Sequence, residues 1–351
     1  MKKTTIIVLF SFLACSSINA QTNENKTADE TEFTPSGSAF GKVFWNYHYD
    51  FNDNPKSSFE LQRVYLGYTY DISKAISAKI TLDGVKKSDA SEYTAFVKIA
   101  QLDWKIISNI KLSVGLIGLQ QFNDQEKFWG YRYIYKSFQD EFALGTSADL
   151  GANVELKPVD FVKINIFMLN GDGYTSLQDD YGMHKYGADV LFEPVKGLLL
   201  KGYYSANFNK FDLYGNDSII VDTSTIHNLA FFAGYKNKKF RVGGEFNMML
   251  NGTKYNSSAE DHNLLGVTMY ATYIINKKFE IFGNYIRLYS NKLQNETDPW
   301  NYGKDGNLIL LGTQYAPVKG VKLALNYRTY LFDNSDIKDL SRIYLNFEFS
   351  F

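Results

Sequence analysis

RIYLNFEFSF, residues Arg342–Phe351, puts Ile343, Leu345, Phe347, Phe349 and Phe351 on every second position, with Arg342, Asn346, Glu348 and Ser350 between them. Successive side chains of a strand point to opposite sides, so this decapeptide has one apolar and one wet face along its whole length. An apolar strand with a free edge invites aggregation in water. The rest of the chain must therefore supply a partner for its edges and a cover for its greasy face.

The same period recurs upstream. From Gly41 onward the chain reads as sixteen segments with period-two character: 41–51, 59–71, 75–84, 92–104, 109–119, 145–157, 161–169, 182–193, 197–208, 225–236, 239–250, 263–275, 278–289, 307–317, 320–331 and 341–351. In FRVGGEFNM, Phe240, Val242, Gly244, Phe246 and Met248 oppose Arg241, Gly243, Glu245 and Asn247. In VKLALNYRTY, Val321, Leu323, Leu325 and Tyr327 oppose Lys322, Ala324, Asn326 and Arg328. In strand two the parity of Phe59, Leu61 and Arg63 clashes with that of Val64 and Leu66, which implies a β-bulge or a strand top above the lipid, and KIAQLDW in strand four slips in the same way.

Connections after even-numbered strands are tight: DISK, KIISN, KPVD, EPVKG, KNKK, INKK and APVKG. Those after odd-numbered strands are longer and polar, such as NKFDLYGNDSIIVDTST and SNKLQNETDPWNYGKDGN. Short turns on one rim and long loops on the other describe an all-β transmembrane up-and-down barrel of the outer-membrane type. The even strand count puts both ends of the barrel on the short-turn rim, where the last strand pairs with the first near GKVFWNYHYDF and no edge stays open. Aromatics near strand ends, Trp45, Trp104, Tyr203, Tyr235, Tyr273 and Tyr315, are expected to form interfacial girdles.

The composition agrees. The chain has 26 Tyr and 27 Phe with only 6 Pro, a mixture that favours strands. Its 37 basic and 38 acidic residues nearly balance, which gives no footprint for nucleic acid. Beyond the first residues no apolar run approaches the ~20 residues of a spanning helix. At the start, MKKTTIIVLFSFLACSSINAQT has Lys2 and Lys3, a nine-residue apolar run Ile6–Ala14 and small residues before Gln21, the pattern of a secretory signal peptide. Cleavage after Ala20 is expected; Cys15 in FLAC is a poorer lipoprotein box because Phe12 stands three before it. The expected organisation is 1–20 signal peptide, 21–38 disordered periplasmic lead-in and 39–351 barrel in the outer membrane of a Gram-negative bacterium.

Strand number decides what the lumen can do. Barrels of sixteen to eighteen strands leave an aqueous channel, so the chain is expected to pass small hydrophilic solutes or ions. The connection Gln120–Leu144, QQFNDQEKFWGYRYIYKSFQDEFAL, is the longest and too aromatic for a solvated tail. Folded inward it would place Lys127, Arg132, Lys136, Asp140 and Glu141 at a constriction; folded outward it would be an extracellular cap. Lumen-facing cations are expected at Lys42, Arg63, Lys79, Lys98, Arg241, Arg328 and Arg342, with further polar-face lysines at Lys111, Lys163, Lys201 and Lys322. The same faces carry Asp50, Glu60, Asp83, Asp149, Glu155, Asp189, Glu245, Glu280 and Glu348. Interleaved signs largely cancel, which predicts a general or weakly selective pore.

FELQRVYLGYTYDIS (Phe59–Ser73), ISAKITLDG, FWGYRYIYKSFQDEF, TSADLGANV and LNGDGY together resemble the phosphate-selective porin O and P family of Bacteroidetes-type bacteria, from about Phe40 to Phe351. The resemblance implies a sixteen-stranded homotrimeric porin with an inward third loop. A terminal Phe after alternating aromatics likewise resembles the signal read by the barrel-assembly machinery. The family's second strand carries a phrase like F-x-L-R-R-A-R-L-G for phosphate; here Phe59–Gly67 keeps only Arg63 of the three arginines.

No G-x-x-x-x-G-K, H-E-x-x-H or complete Rossmann fingerprint occurs, and NGDG (Asn170–Gly173) reads as a turn signal. His48, His184, His227 and His262 lie on four separate strands or loops, so no cofactor, metal site or catalytic residue is expected. The alternatives are an outer-membrane barrel enzyme of phospholipase or protease type, for which His184 and His227 near an outer rim are the candidates, and a surface adhesin or structural barrel.

Overall fold

The computed structural model describes residues 33–52, 55–86, 93–177, 184–215 and 218–351. The stretch read as a signal peptide and most of that read as a lead-in, residues 1–32, lie outside the described residues. In chain order the strands are β1 (Ser36–Asp50), β2 (Ser57–Asp71), β3 (Ile76–Lys86), β4 (Tyr93–Ile107), β5 (Ile110–Gly118) and β6 (Ala148–Val159). Next come β7 (Val162–Leu169), β8 (Lys185–Phe192), β9 (Leu198–Gly215), β10 (Ser218–Lys236) and β11 (Phe240–Leu250). A small hairpin, β12 (Gly252–Lys254) with β13 (Ser257–Ser258), precedes β14 (Leu264–Ile274), β15 (Phe279–Ser290), β16 (Gly306–Tyr315), β17 (Val321–Phe332) and β18 (Leu340–Ser350).

All but β12 and β13 form one closed antiparallel barrel of sixteen strands. Closure comes from the opening decapeptide: β18 pairs with β1 from Lys42↔Ser350 to Asp50↔Arg342, and Gly41 and Phe351 exchange backbone hydrogen bonds of 3.1 Å each. On the turn rim, polar side chains fix the tight connections. The Asn237 carbonyl accepts the N–H groups of Lys239 and Phe240 at 2.8 and 2.9 Å, and Asn276 does the same for Lys278 and Phe279 at 2.8 and 3.1 Å.

The wall is inside-out relative to a water-soluble protein. Asn165, Ser205, Asn247 and Asn346 are fully buried on its inner face, while Ile80, Ile166, Met269, Leu311 and Leu325 are more than half exposed on its outer face. A belt of that size has no place in water and suits lipid on all sides. Among the described residues no helix is long and apolar enough to cross a membrane, so any crossing is made by strands.

Both slips are bulges. The β1–β2 register slips between Phe44 and Trp45, leaving Gln62 without a partner, so Leu61 and Phe59 rejoin the outer face opposite Trp45 and Tyr47. The β3–β4 register slips between Thr81 and Leu82, leaving Lys98 as the extra residue. Each bulge turns two neighbours inward, Gln62 with Arg63 and Lys98 with Ile99.

Three expectations change. The segment NKFDLYGNDSIIVDTST is not a loop: pairing of β9 with β10 continues out to Gly215↔Ser218, so the hairpin runs on beyond its neighbours. β8 pairs β9 only as far as Asn207 and β11 pairs β10 only as far as His227. Strand pairing does not need a membrane, and Ser218–Val221 with Phe211–Tyr214 has the β-branched and aromatic content that sustains it. Tyr203 is 3% exposed and faces inward, unlike the outward Trp104, Tyr235, Tyr273 and Tyr315, because its hydroxyl has a partner in the lumen. Finally, β1 begins at Ser36, inside the stretch read as lead-in.

Candidate functional site

The connection between β5 and β6 folds into the barrel. It contains α1 (Asn123–Trp129), closed by Gly130, and the single turn α2 (Phe138–Glu141). Phe122, Phe128, Trp129, Tyr131, Tyr133, Ile134, Phe138 and Leu144 are all under 5% exposed. Their partners are inward side chains of the wall: Phe128 meets Phe232 edge-on at 5.3 Å, Trp129 lies 5.0 Å from Tyr270, and Tyr131 lies 4.4 Å from Phe282. The Phe138 ring sits against Gly266 in the space a Cβ would fill. Truncating one such buried aromatic typically costs about 3–5 kcal/mol, so the loop is anchored rather than draped.

Polar contacts set its height. Tyr131 donates to Glu280, Tyr133 to Gln314 at 2.9 Å and Gln139 to Asn247 at 2.8 Å. At its root, Lys201 forms an ion pair with Asp124 at 2.8 Å and also donates to the Gln120 carbonyl, while Lys185 and Tyr203 donate to Gln121 at 3.1 and 2.9 Å. Burial alone would raise the Asp124 carboxyl, but Lys201 outweighs it and holds it below the usual carboxylate range. The tether is therefore present at neutral pH and is lost as pH falls through that lowered value.

The loop packs against the wall from β8 round to β18 and onto Phe44 of β1, and leaves two cavities along β1–β4. On the turn side lies a cavity of about 500 Å³, lined by Lys42, Tyr65, Lys79, Lys98, Lys127, Arg132 and Lys322 with Glu126 and Glu348. On the loop side lies one of about 280 Å³, lined by Gln62, Arg63, Arg132, Tyr135, Lys136, Glu141 and Arg328. Phe44 and Arg132 border both.

The expected site residues separate on this frame. Lys42, Lys79, Lys98 and Lys127 converge on the larger cavity; Arg63, Lys136, Glu141 and Arg328 converge on the smaller. Arg132 is held between Glu126 and Asp140, at 3.0 Å from each, so Asp140 acts inside the loop and lines neither cavity. Arg241 lies 5.0 Å from the Tyr131 ring beneath the loop, and Arg342 pairs with Asp50 (Nη2 to Oδ2, 3.1 Å) higher on the wall. Neither lines either cavity.

Much of the inward charge is paired, so that partners of opposite sign offset each other and the unpaired groups dominate the field. Most inward carboxylates are engaged: Asp83 by Arg63 at 2.8 Å, Glu155 by Lys111 at 3.7 Å, Asp189 by Lys201 at 3.9 Å and Glu348 by Lys322 at 2.8 Å. Among the described residues nine cations and the side-chain carboxylates of Glu126, Glu141 and Glu348 line the two cavities, and five of the nine, Arg63, Lys98, Arg132, Lys136 and Lys322, are themselves paired with carboxylates. Among the described residues no carboxylate oxygen lies within 4.0 Å of the Lys42, Lys79 or Lys127 ammonium. A low-dielectric wall focuses the field of such a cluster into the cavity.

Sequence reading missed Tyr65 and Tyr174. The Tyr65 ring lies 4.8 Å from Lys98 and 5.9 Å from Arg63, a cation–π platform that borders the larger cavity. Tyr174 reaches the same group from the loop after β7; LNGDGY, with two glycines before an aromatic, was the signal available for it.

No protein-family model matches the chain, and no curated protein matches it. Solved structures are similar in fold. The outer membrane channel DcaP of Acinetobacter baumannii is 14% identical, over 90% of this chain and 97% of that one, with a TM-score of 0.67. OmpF of Salmonella typhi, in complex with daunomycin, is 14% identical, over 90% and 97%, with a TM-score of 0.66. An anion-selective porin from Comamonas acidovorans is 12% identical, over 91% and 100%, with a TM-score of 0.63. At these identities the likeness establishes the fold.

Proposed function

We propose that the chain is an outer-membrane porin, a water-filled channel without catalytic activity through which small hydrophilic solutes diffuse passively, with anions preferred. The observation that carries the reading is a group of unpaired cations: Lys42, Lys79 and Lys127 line one cavity between the inward loop and β1–β4, and among the described residues none has a carboxylate within 4.0 Å. The apolar outer belt supports placement in a bilayer, and the similar folds of a named outer membrane channel and a named anion-selective porin support the same reading. The preference is for anions as a class. Arg63, the one arginine left in the second strand's phosphate-like phrase, is held by Asp83 at 2.8 Å and gives a passing phosphate a partly neutralised partner. A homotrimer, implied by the sequence resemblance, is part of the proposal.

Liposome swelling tests it. With the purified protein in the bilayer, gluconate is expected to enter several-fold faster than glucosamine, with glucose between them, and added salt should compress the spread. Equal rates for the three solutes would remove the anion preference, and no swelling with any of them would remove the channel.

A further inference from the structure

The loop after β7 delivers one side chain across the lumen. In its turn Asn170–Gly173, Gly171 and Gly173 have φ of 98° and 78°, left-handed values that other residues rarely adopt. The turn is gripped by three neighbours. The Asp149 carboxylate accepts the Gly171 N–H at 2.9 Å, the Asn207 amide reaches the Gly171 carbonyl at 3.4 Å, and the Tyr255 hydroxyl donates to the Asp172 carbonyl at 3.1 Å. A backbone held at three points gives the next side chain a fixed base.

That side chain is Tyr174. Its hydroxyl donates to Asp83 of β3 at 2.8 Å and accepts from Arg63 of β2 at 3.4 Å. Its ring lies 5.1 Å from the Lys98 ammonium and meets Phe96 edge-on at 6.3 Å, both on β4. Two of the groups it touches line the cationic cavities, Arg63 the upper and Lys98 the lower. Tyr174 itself lines a separate cavity of about 150 Å³ with Leu116, Asp149 and Asp172, and among the described residues no cation lines it.

We propose that Tyr174 is a crossbar that sets the size limit of the pore, dividing the cationic path from its acidic neighbour so that only small anions fit alongside it. The proposal rests on reading the barrel as a channel and names a residue that decides which solutes it admits. Two anchors of different kinds hold the bar: hydrogen bonds through its hydroxyl and a cation–π contact through its ring. Because the ring does the excluding, the hydroxyl is a positioning group and the ring the barrier.

Planar bilayers and liposomes loaded with the full chain test this with three variants. Tyr174→Ala should raise single-channel conductance about 1.5-fold and admit a disaccharide that wild type excludes, since pore diameter sets the cut-off. Its zero-current potential in a salt gradient should move toward the cation side, because loss of the bar joins the path to the cavity that Asp149 and Asp172 line. Tyr174→Phe keeps the ring and should keep the wild-type cut-off. Tyr174→Cys, treated after assembly with a bulky neutral methanethiosulfonate, should lose conductance, while wild type, whose one cysteine is Cys15, should not respond. This last readout holds even where the alanine variant fails to assemble. A conducting wild type with an unchanged cut-off in Tyr174→Ala, or a Tyr174→Cys pore indifferent to the reagent, overturns the crossbar alone. A silent wild type overturns the channel and the crossbar with it.

Discussion

Replacing Lys42, Lys79 and Lys127 together by glutamate is expected to turn an anion-preferring pore into a cation-preferring one. These three ammonium groups line one cavity, and among the described residues none has a carboxylate within 4.0 Å. A unit charge about 8 Å from a passing ion contributes roughly 0.5 kcal/mol in water's dielectric, so changing six units shifts the local energy by about 3 kcal/mol. Screening at 0.1 M salt cuts this to about 1.4 kcal/mol, tenfold for each ion and opposite in sign for anion and cation. The zero-current potential under a salt gradient should therefore change sign. A triple variant that keeps the wild-type sign would show that these lysines do not govern the passage.

The second large effect concerns the inward loop. β5 and β6 remain paired up to Gly118↔Ala148, and the Leu119 N–H still donates to the Ser147 carbonyl at 3.0 Å. Two strands joined so closely need only a short hairpin, so residues 121–145 can be replaced by a few glycines and serines without opening the wall. Sixteen strands leave a wide lumen once nothing fills it, and conductance is expected to rise about threefold. Ion preference should weaken at the same time, because in the wider lumen more water and salt screen the wall charges from a passing ion. The barrel should also unfold at lower temperature, since Phe232, Tyr270 and Phe282 lose the aromatic cover now packed on them. An excised protein with wild-type conductance would mean that the loop is not what narrows the path.

The wall was legible in the sequence because each strand faces two incompatible surroundings. A one-residue slip would send Leu323 and Leu325 into the lumen and Asn326 into the apolar belt, so period two is enforced strand by strand. Even the irregularities could be read, since the parity conflict around Arg63 and in KIAQLDW is what an inserted residue must produce. The β9–β10 extension could not, because past the belt nothing demands alternation and a mixed polar stretch reads as loop. Tyr203 was misread for a related reason: a tyrosine suits a lipid interface and a hydrogen-bonded lumen equally well, and only the location of Gln121 decides between them.

Candidate charges were legible one at a time but not as a field. Their order along the strands mixes the signs, whereas the fold pairs Asp83, Asp189 and Glu348 with basic neighbours and brings Lys127 of the loop beside Lys42 and Lys79 of the wall. That juxtaposition depends on where a 29-residue connection, 119–147, comes to rest. The same holds for Tyr174, whose partners lie on β2, β3 and β4 while its own backbone follows β7.

An open, anion-preferring passage between the inward loop and β1–β4 is tested most directly by the zero-current potential of the wild-type protein in a planar bilayer. A tenfold gradient of potassium chloride sets the potential, and stepwise single-channel conductance is recorded alongside. Discrete openings and a potential displaced toward the chloride equilibrium value are expected. Openings displaced toward the potassium value, or a protein that assembles and heats like a barrel yet never conducts, would contradict such a passage.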